Sequence, residues 1–138
     1  MIIGGTSGLG LSAARAFVNN GANVVIVGSD PDKCGQVEKE FTDNAAVLQA
    51  DAREVLSSKR AVKLLKDKFG PLTGLYHVAG GSGRKWGDGP LHEITLEGWE
   101  RTMELNLTSL MLSNQTAIKE FIETKTRGSI LNMSSVLG

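Results

Sequence analysis

The chain has 138 residues, 15 basic and 15 acidic side chains, and 41% hydrophobic content. That length suits one domain with a sizeable core, and the balanced charge argues against nucleic acid or an anionic membrane as partner. A lone cysteine, Cys34, excludes an internal disulfide and a cysteine-based zinc cluster; with no bilayer-length apolar run and no secretory leader read at the start, a cytoplasmic setting is expected.

Met1-Ile2-Ile3 reads as the end of a short strand, followed at once by Gly4-Gly5-Thr6-Ser7-Gly8-Leu9-Gly10, four glycines in seven residues. Such a turn lets the backbone approach a ligand closely. A helix starting behind it aims unpaired N–H groups and the positive end of its dipole at an anion. That helix is expected over residues 11–19, with Leu11, Ala14, Phe17 and Val18 on one side and Gly21 as its left-handed cap. Val24-Val25-Ile26-Val27 is an unbroken β-branched run, suited to a strand buried on both faces. Asp30 caps a second helix and Pro31 opens it, and the helix extends to Phe41.

A strand over residues 46–50 ends at Asp51, and a third helix is expected over residues 55–69, with Val55, Ala61, Leu65 and Phe69 on one face and Gly70-Pro71 as its stop. Residues 75–79 read as the fourth strand, followed by the loop Gly80-Gly81-Ser82-Gly83, which runs on through Trp86 to Pro90. Thr95 caps a long fourth helix containing Trp99, Met103, Leu107, Leu110, Met111, Ile118 and Ile122. Gly128 ends it, and residues 129–133 form the fifth strand.

Strands alternating with helices predict an α/β fold: a Rossmann-like, doubly wound parallel sheet in a three-layer αβα sandwich. Ligands of such sheets bind outside the carboxyl ends of the strands, where strand order reverses. The glycine turn, Asp51, the Gly80 loop and Ser134-Ser135 all fall at predicted carboxyl ends, which makes a dinucleotide site the expected function of that edge. Candidate cofactor-binding residues are Gly4, Thr6, Ser7, Gly8, Leu9 and Gly10 in the turn, and Ser29 and Asp30 beyond the second strand. Asp51 and Ala52 beyond the third and Ala79, Gly80 and Gly81 beyond the fourth complete the set. No metal site is expected, because His77 sits in a strand, His92 in a loop, and no ligand spacing joins them. A phosphate-loop nucleotidase is excluded because no Gly-Lys-Ser/Thr follows the glycines.

These motifs, in this order, resemble the classical short-chain dehydrogenase/reductase family over the whole chain. Of that family's Thr-Gly-x-x-x-Gly-x-Gly fingerprint, Gly4, Gly8 and Gly10 take the glycine positions and Ile3 stands for the threonine. Asp51 matches the acid that bonds near the adenine in relatives. The family's Asn-Asn-Ala-Gly stands here as His77-Val78-Ala79-Gly80. Asn106 matches the helix asparagine that holds a proton-relay water, and Asn132-Met133-Ser134-Ser135-Val136 the fifth strand, with Ser135 at the catalytic serine. The resemblance implies hydride transfer between NAD or NADP and an alcohol or carbonyl substrate, with Ser135 and Asn106 as the catalytic candidates. It implies a homo-oligomer for the full-length protein.

Gly28 takes the place where NAD-selective relatives carry an acid for the ribose 2′-hydroxyl; its missing side chain leaves room for a 2′-phosphate and favours NADP over NAD. Plainer readings stand beside several of these: Asp51 as a helix cap, Asn106 bonding within its own helix, His77 as a strand residue with a satisfied ring, and Arg84-Lys85-Trp86 as solvated charge beside an anchoring aromatic.

The family places Tyr-x-x-x-Lys beyond the serine, whereas this chain ends at Gly138 and its only tyrosine, Tyr76, falls in the predicted fourth strand. The expectation is therefore a piece of such an enzyme, incomplete at the carboxyl end, that binds nucleotide without turnover. Its apolar helix face around Leu107, Leu110 and Met111 should lack cover. The alternative is a non-catalytic nucleotide-binding sensor or interaction module.

Overall fold

The computed structural model describes residues 1–135; Val136, Leu137 and Gly138, which follow the candidate Ser135, lie outside the described residues. Five parallel strands form the sheet: β1 (Ile2–Ile3), β2 (Val24–Gly28), β3 (Ala45–Gln49), β4 (Gly74–His77) and β5 (Ser129–Asn132), in the order β3-β2-β1-β4-β5. The helices are α1 (Gly8–Asn19), α2 (Pro31–Glu40), α3 (Ser57–Phe69), α4 (Leu96–Met103) and α5 (Ser109–Thr124).

Side chains alternate across the sheet and so build two cores. Ile2, Val24 and Ile26 face Ala14 of α1 and Val37 of α2. Ile3, Val25 and Val27 face Ala61, Val62 and Leu65 of α3 and Ala117 of α5. All five residues of β2 are buried, as its β-branched run requires. Ile2, Ile3 and Ile26 are each about 1% exposed or less. Burial of an isoleucine is favourable by roughly 1.5–3 kcal/mol, so the two-residue β1 is held by its packing on both faces more than by its length.

β1 lies between β2 and β4, and the chain turns back across it between β3 and β4, which puts the reversal of strand order at the β1/β4 junction. The registers Ile3↔Val27 and Ile3↔His77 bring three strand ends level there.

Several boundaries differ from those expected. The first helix begins at Gly8, three residues before Leu11, so the last glycines belong to the helix and not to the turn. Phe17, expected on its packed side, is 46% exposed. The third helix begins at Ser57; Val55 precedes it, lies off its face and is 59% exposed. The third strand is shifted to Ala45–Gln49, and the fourth ends at His77, which leaves Val78 and Ala79 in the loop.

The long fourth helix is divided by a wide π turn, Glu104–Thr108, between α4 and α5. Its outer surface carries Leu107 at 54% and Met111 at 47% exposure, two of the three residues of the apolar face expected to lack cover, whereas Leu110 is half-buried and lines a cleft. No described helix is long and apolar enough to cross a membrane.

Candidate functional site

The glycine turn leaves β1 by a route only a few side chains could tolerate. Gly4 has φ +84°, and a Cβ there would lie 2.6 Å from the Ala79 nitrogen. The Gly4 and Gly5 N–H groups both donate to the Val27 carbonyl at 2.9 Å, while the Ile3 carbonyl accepts from Val78 at 2.8 Å and Ala79 at 3.0 Å. The three residues Ile3, Gly4 and Gly5 thus tie the glycine turn to the ends of both neighbouring strands. Gly10, in the first turn of α1, has no space for a side chain against the Gly4 carbonyl, which lets the helix sit directly on the turn.

Gly8 is the opposite case. Its φ is +50°, but a Cβ there would meet nothing within 4 Å. Ser7, Gly8 and Leu9 are exposed, and Leu9 is 62% exposed.

The start of α1 is bare. Ser7 occupies the N-cap without a side-chain bond to the helix, and the first turn holds no acid. By contrast Asp30 caps α2, accepting from Asp32 N–H at 3.0 Å and Lys33 N–H at 3.1 Å, and the Thr95 hydroxyl caps α4 by accepting from Gly98 N–H at 2.9 Å. Orphan N–H groups at a helix start need an acceptor, and here they face open space over Gly8. The clearance at Gly8 and the uncapped helix start are compatible with the pyrophosphate of a dinucleotide.

At the end of β2, Ser29 is exposed, and Asp30 is committed to capping α2 and to Lys33, 3.6 Å from its carboxylate. Bonds from the Lys33 and Asp32 N–H groups hold the Asp30 carboxyl below its ordinary pKa, with the Lys33 ammonium adding to the effect. The space read at Gly28 is not open. A Cβ there would collide with Oγ1 and Cγ2 of Thr6, a residue only 8% exposed. Thr6 of the glycine turn therefore fills the place of the missing side chain, which removes the argument from room for a 2′-phosphate.

Beyond β3, Asp51 accepts from the Arg53 backbone N–H at 2.9 Å and forms a two-pronged pair with its guanidinium, Nη2 to Oδ2 at 2.6 Å and Nε to Oδ1 at 3.0 Å. Arg53 holds the Asp51 carboxyl below its usual range against the opposing effect of burial. Ala52 is half-buried between them. Arg53 was not singled out from the sequence; its signal is the acid two residues before it, the spacing of a turn in which Asp bonds the backbone ahead.

Beyond β4, Ala79, Gly80 and Gly81 run past the π turn. Asn106, on that turn, accepts from Gly81 N–H at 2.9 Å, and its amide donates to the Gly81 and Thr102 carbonyls, each at 2.9 Å. A Cβ on Gly80 would lie 2.8 Å from Asn106 Oδ1, so the stretch is pressed against the helix. His77 is 1% exposed with both ring nitrogens bonded, as the plainer reading expected.

Ser134 and Ser135 follow β5 and are exposed. They line a cleft of about 820 Å³ together with His77, Ala79, Gly80, Gly81 and Asn106; Arg84 and Asp88 of the long loop also reach it. The structure thus brings Asn106, Ser135 and the Ala79–Gly81 stretch around one cavity. The glycine turn, the β2 end and Asp51 lie along the same sheet edge but outside that cavity's lining. Tyr76, paired between Ile2 and Leu131 inside the sheet, is not among the residues around the cleft.

The family model for short chain dehydrogenases matches residues 1–138. The chain belongs to that family. It is 32% identical over its whole length to the 2,5-dichloro-2,5-cyclohexadiene-1,4-diol dehydrogenase of Sphingobium indicum, of which it covers 54%. A short chain dehydrogenase from Bacillus anthracis superposes with a TM-score of 0.87 at 28% identity, over 97% of this chain and 54% of that one. A short-chain type dehydrogenase/reductase from Mycobacterium ulcerans gives 0.86 at 31% identity, over 98% and 50%. The short-chain dehydrogenase chain described here thus spans about half the length of the relatives it matches. The parallel αβα sheet expected from the sequence is the fold of these relatives.

Proposed function

We propose that this short-chain dehydrogenase chain supplies the nucleotide cradle and part of the substrate cleft of an oxidoreductase that uses NAD or NADP on an alcohol or carbonyl substrate. The observation that carries this reading is the bare start of α1 over the open face of Gly8, beside a cleft that gathers Asn106 and Ser135. Free N–H groups at a helix terminus favour a diphosphate over a neutral ligand. Ser7, Gly8, Leu9 and Gly10 would hold the pyrophosphate; Thr6, Ser29 and Asp30 border the ribose side, Asp51 and Ala52 the adenine, and Ala79, Gly80 and Gly81 the nicotinamide side. A bound nicotinamide would supply or accept the hydride.

The chain's own residues bind and orient. Ser135 would place its hydroxyl against the substrate oxygen, donating a hydrogen bond as negative charge develops there. Asn106 would hold the Gly81 backbone in place, since its amide N–H groups already donate to Gly81 and Thr102. Assembly into a homo-oligomer and a cytoplasmic setting belong to the same proposal for the whole protein.

Calorimetric titration with NADH, NADPH and ADP-ribose tests the cradle. Saturable binding of the two dinucleotides, with ADP-ribose competing, is the expected result. No heat with either dinucleotide at millimolar concentration would remove the proposal.

A further inference from the structure

His77 stands where a strand end meets a helix, and every polar atom around it is used. The Ala79 carbonyl, 3.0 Å from Nε2, can only accept, so Nε2 carries the proton. Burial lowers the pKa of the ring, which keeps it neutral and leaves Nδ1 as an acceptor, 2.8 Å from the Ser113 hydroxyl, whose single proton is shared between Nδ1 and the Leu110 carbonyl at 2.9 Å. Ser109 lies one helical turn before Ser113, with its Oγ 3.4 Å from Nε2. Both serines are 0% exposed.

Ser109 also closes the π turn. Its N–H donates to the Glu104 carbonyl, the wide spacing of that turn, while its hydroxyl donates to the Leu105 carbonyl at 2.6 Å. A side-chain bond back to a carbonyl one turn earlier is what a widened turn needs to satisfy the carbonyl it displaces. The same π turn carries Asn106, which bonds both backbone groups of Gly81.

We propose that His77 is a positioning residue for the nucleotide site, tying the Ala79–Gly81 stretch and the Asn106 turn into one unit through a single buried imidazole. This rests on the nicotinamide-dinucleotide reading above. Three backbone groups of the stretch are fixed in this way: the Ala79 carbonyl by His77, and the Gly81 N–H and carbonyl by Asn106. Without the ring, the Ala79 carbonyl loses its bond to Nε2, the two serine hydroxyls keep only their bonds to the Leu105 and Leu110 carbonyls, and the two clamps no longer move together.

The test compares the wild-type protein with His77→Phe, His77→Asn, Asn106→Ala and the His77→Phe/Asn106→Ala double variant, titrated with NADH and NADPH. His77→Phe fills the space without bonding and should weaken binding about tenfold. His77→Asn keeps a donor for Ala79 and should recover at least half of that loss on a logarithmic scale. The double variant should lose less than the product of the two single losses, because both clamps act through one unit. Independently of binding, nitrogen-15 spectra of the wild-type imidazole should show the Nε2–H tautomer, and this reading survives if a variant fails to fold. A wild-type protein that binds neither dinucleotide removes the functional reading itself. Wild-type binding together with unchanged affinity in His77→Phe, equal losses in Phe and Asn variants, strictly multiplicative losses, or an Nδ1–H tautomer overturns the positioning role alone.

Discussion

Replacing Gly8 by alanine should separate folding from nucleotide binding. At φ +50° an L residue is strained by roughly 1–2 kcal/mol, and with nothing within 4 Å of the added Cβ there is no further cost from packing. For a chain of this size that corresponds to a fall in Tm of about 3–10 °C, well within what a marginally stable fold tolerates. The new methyl group, however, stands in the open space over the bare start of α1, where the pyrophosphate is expected. Affinity for NADH and NADPH should fall at least tenfold, a change of about 1.4 kcal/mol. Gly4→Ala is the control. It combines similar left-handed strain with a Cβ 2.6 Å from the Ala79 nitrogen, and overpacking adds about 1–3 kcal/mol, so it should damage the fold itself. Thermal melts and calorimetric titration measure both effects on the same samples. A folded Gly8→Ala protein that binds dinucleotide within twofold of wild type would refute a pyrophosphate seated over Gly8.

Gly28→Asp should cost about 1–3 kcal/mol by forcing a side chain into the space Thr6 fills, and Thr6→Gly in the same chain should restore at least half, read as shifts in denaturant midpoint. In that double variant the introduced acid should raise the ratio of NAD to NADP affinity, because a carboxylate there bonds the ribose 2′-hydroxyl and repels a 2′-phosphate. Asn106→Ala removes three bonds from an exposed side chain. Water replaces part of what is lost, so stability should change by about 1 kcal/mol or less, while titration should show dinucleotide affinity falling several-fold. For His77 the folded pKa lies below the ordinary value of 6.5. Between the two pKa values the unfolded chain binds more protons than the native one, so stability rises with pH there and falls as the solution is acidified below about pH 6.5. Urea midpoints across that range should show a slope that His77→Asn reduces.

What the sequence disclosed was carried by local chemistry. The run Val24-Val25-Ile26-Val27 is apolar at every position, and a strand buried on both faces leaves no other reading. Asp30-Pro31 carries a local helix-start signal, the carboxylate capping the first N–H groups and the ring fixing the first helical φ. The glycine turn was legible as a turn but not in extent: Gly8 and Gly10 are poor helix formers, and the packing of Gly10 on the Gly4 carbonyl, a tertiary contact, draws the stretch into α1. The π turn was not legible. Glu104-Leu105-Asn106-Leu107-Thr108 contains no breaker, and what widens the helix there is the bonding of Ser109 to Leu105 and of Asn106 to a loop 25 residues earlier in sequence. Gly28 misled for a related reason. A missing side chain reads as empty space, yet Thr6, 22 positions away in the chain, occupies it once β1 and β2 pair.

The same pairing explains how a two-residue strand can organise the site. The Ile3 carbonyl accepts from the two residues that follow β4, and the residues that follow Ile3 donate to the last-but-one carbonyl of β2. Displacing β1 by one register would therefore break the support of the Gly4 turn and of Ala79 together. A slip of one residue also turns every side chain to the other face, so that Met1 or Gly4 would stand where one of the two isoleucines now packs. Both isoleucines are almost fully buried, so that replacement is disfavoured. The position of the glycine turn relative to the Asn106 cleft is consequently set by strand register in the middle of the sheet, and the loops on either side only complete what that register places.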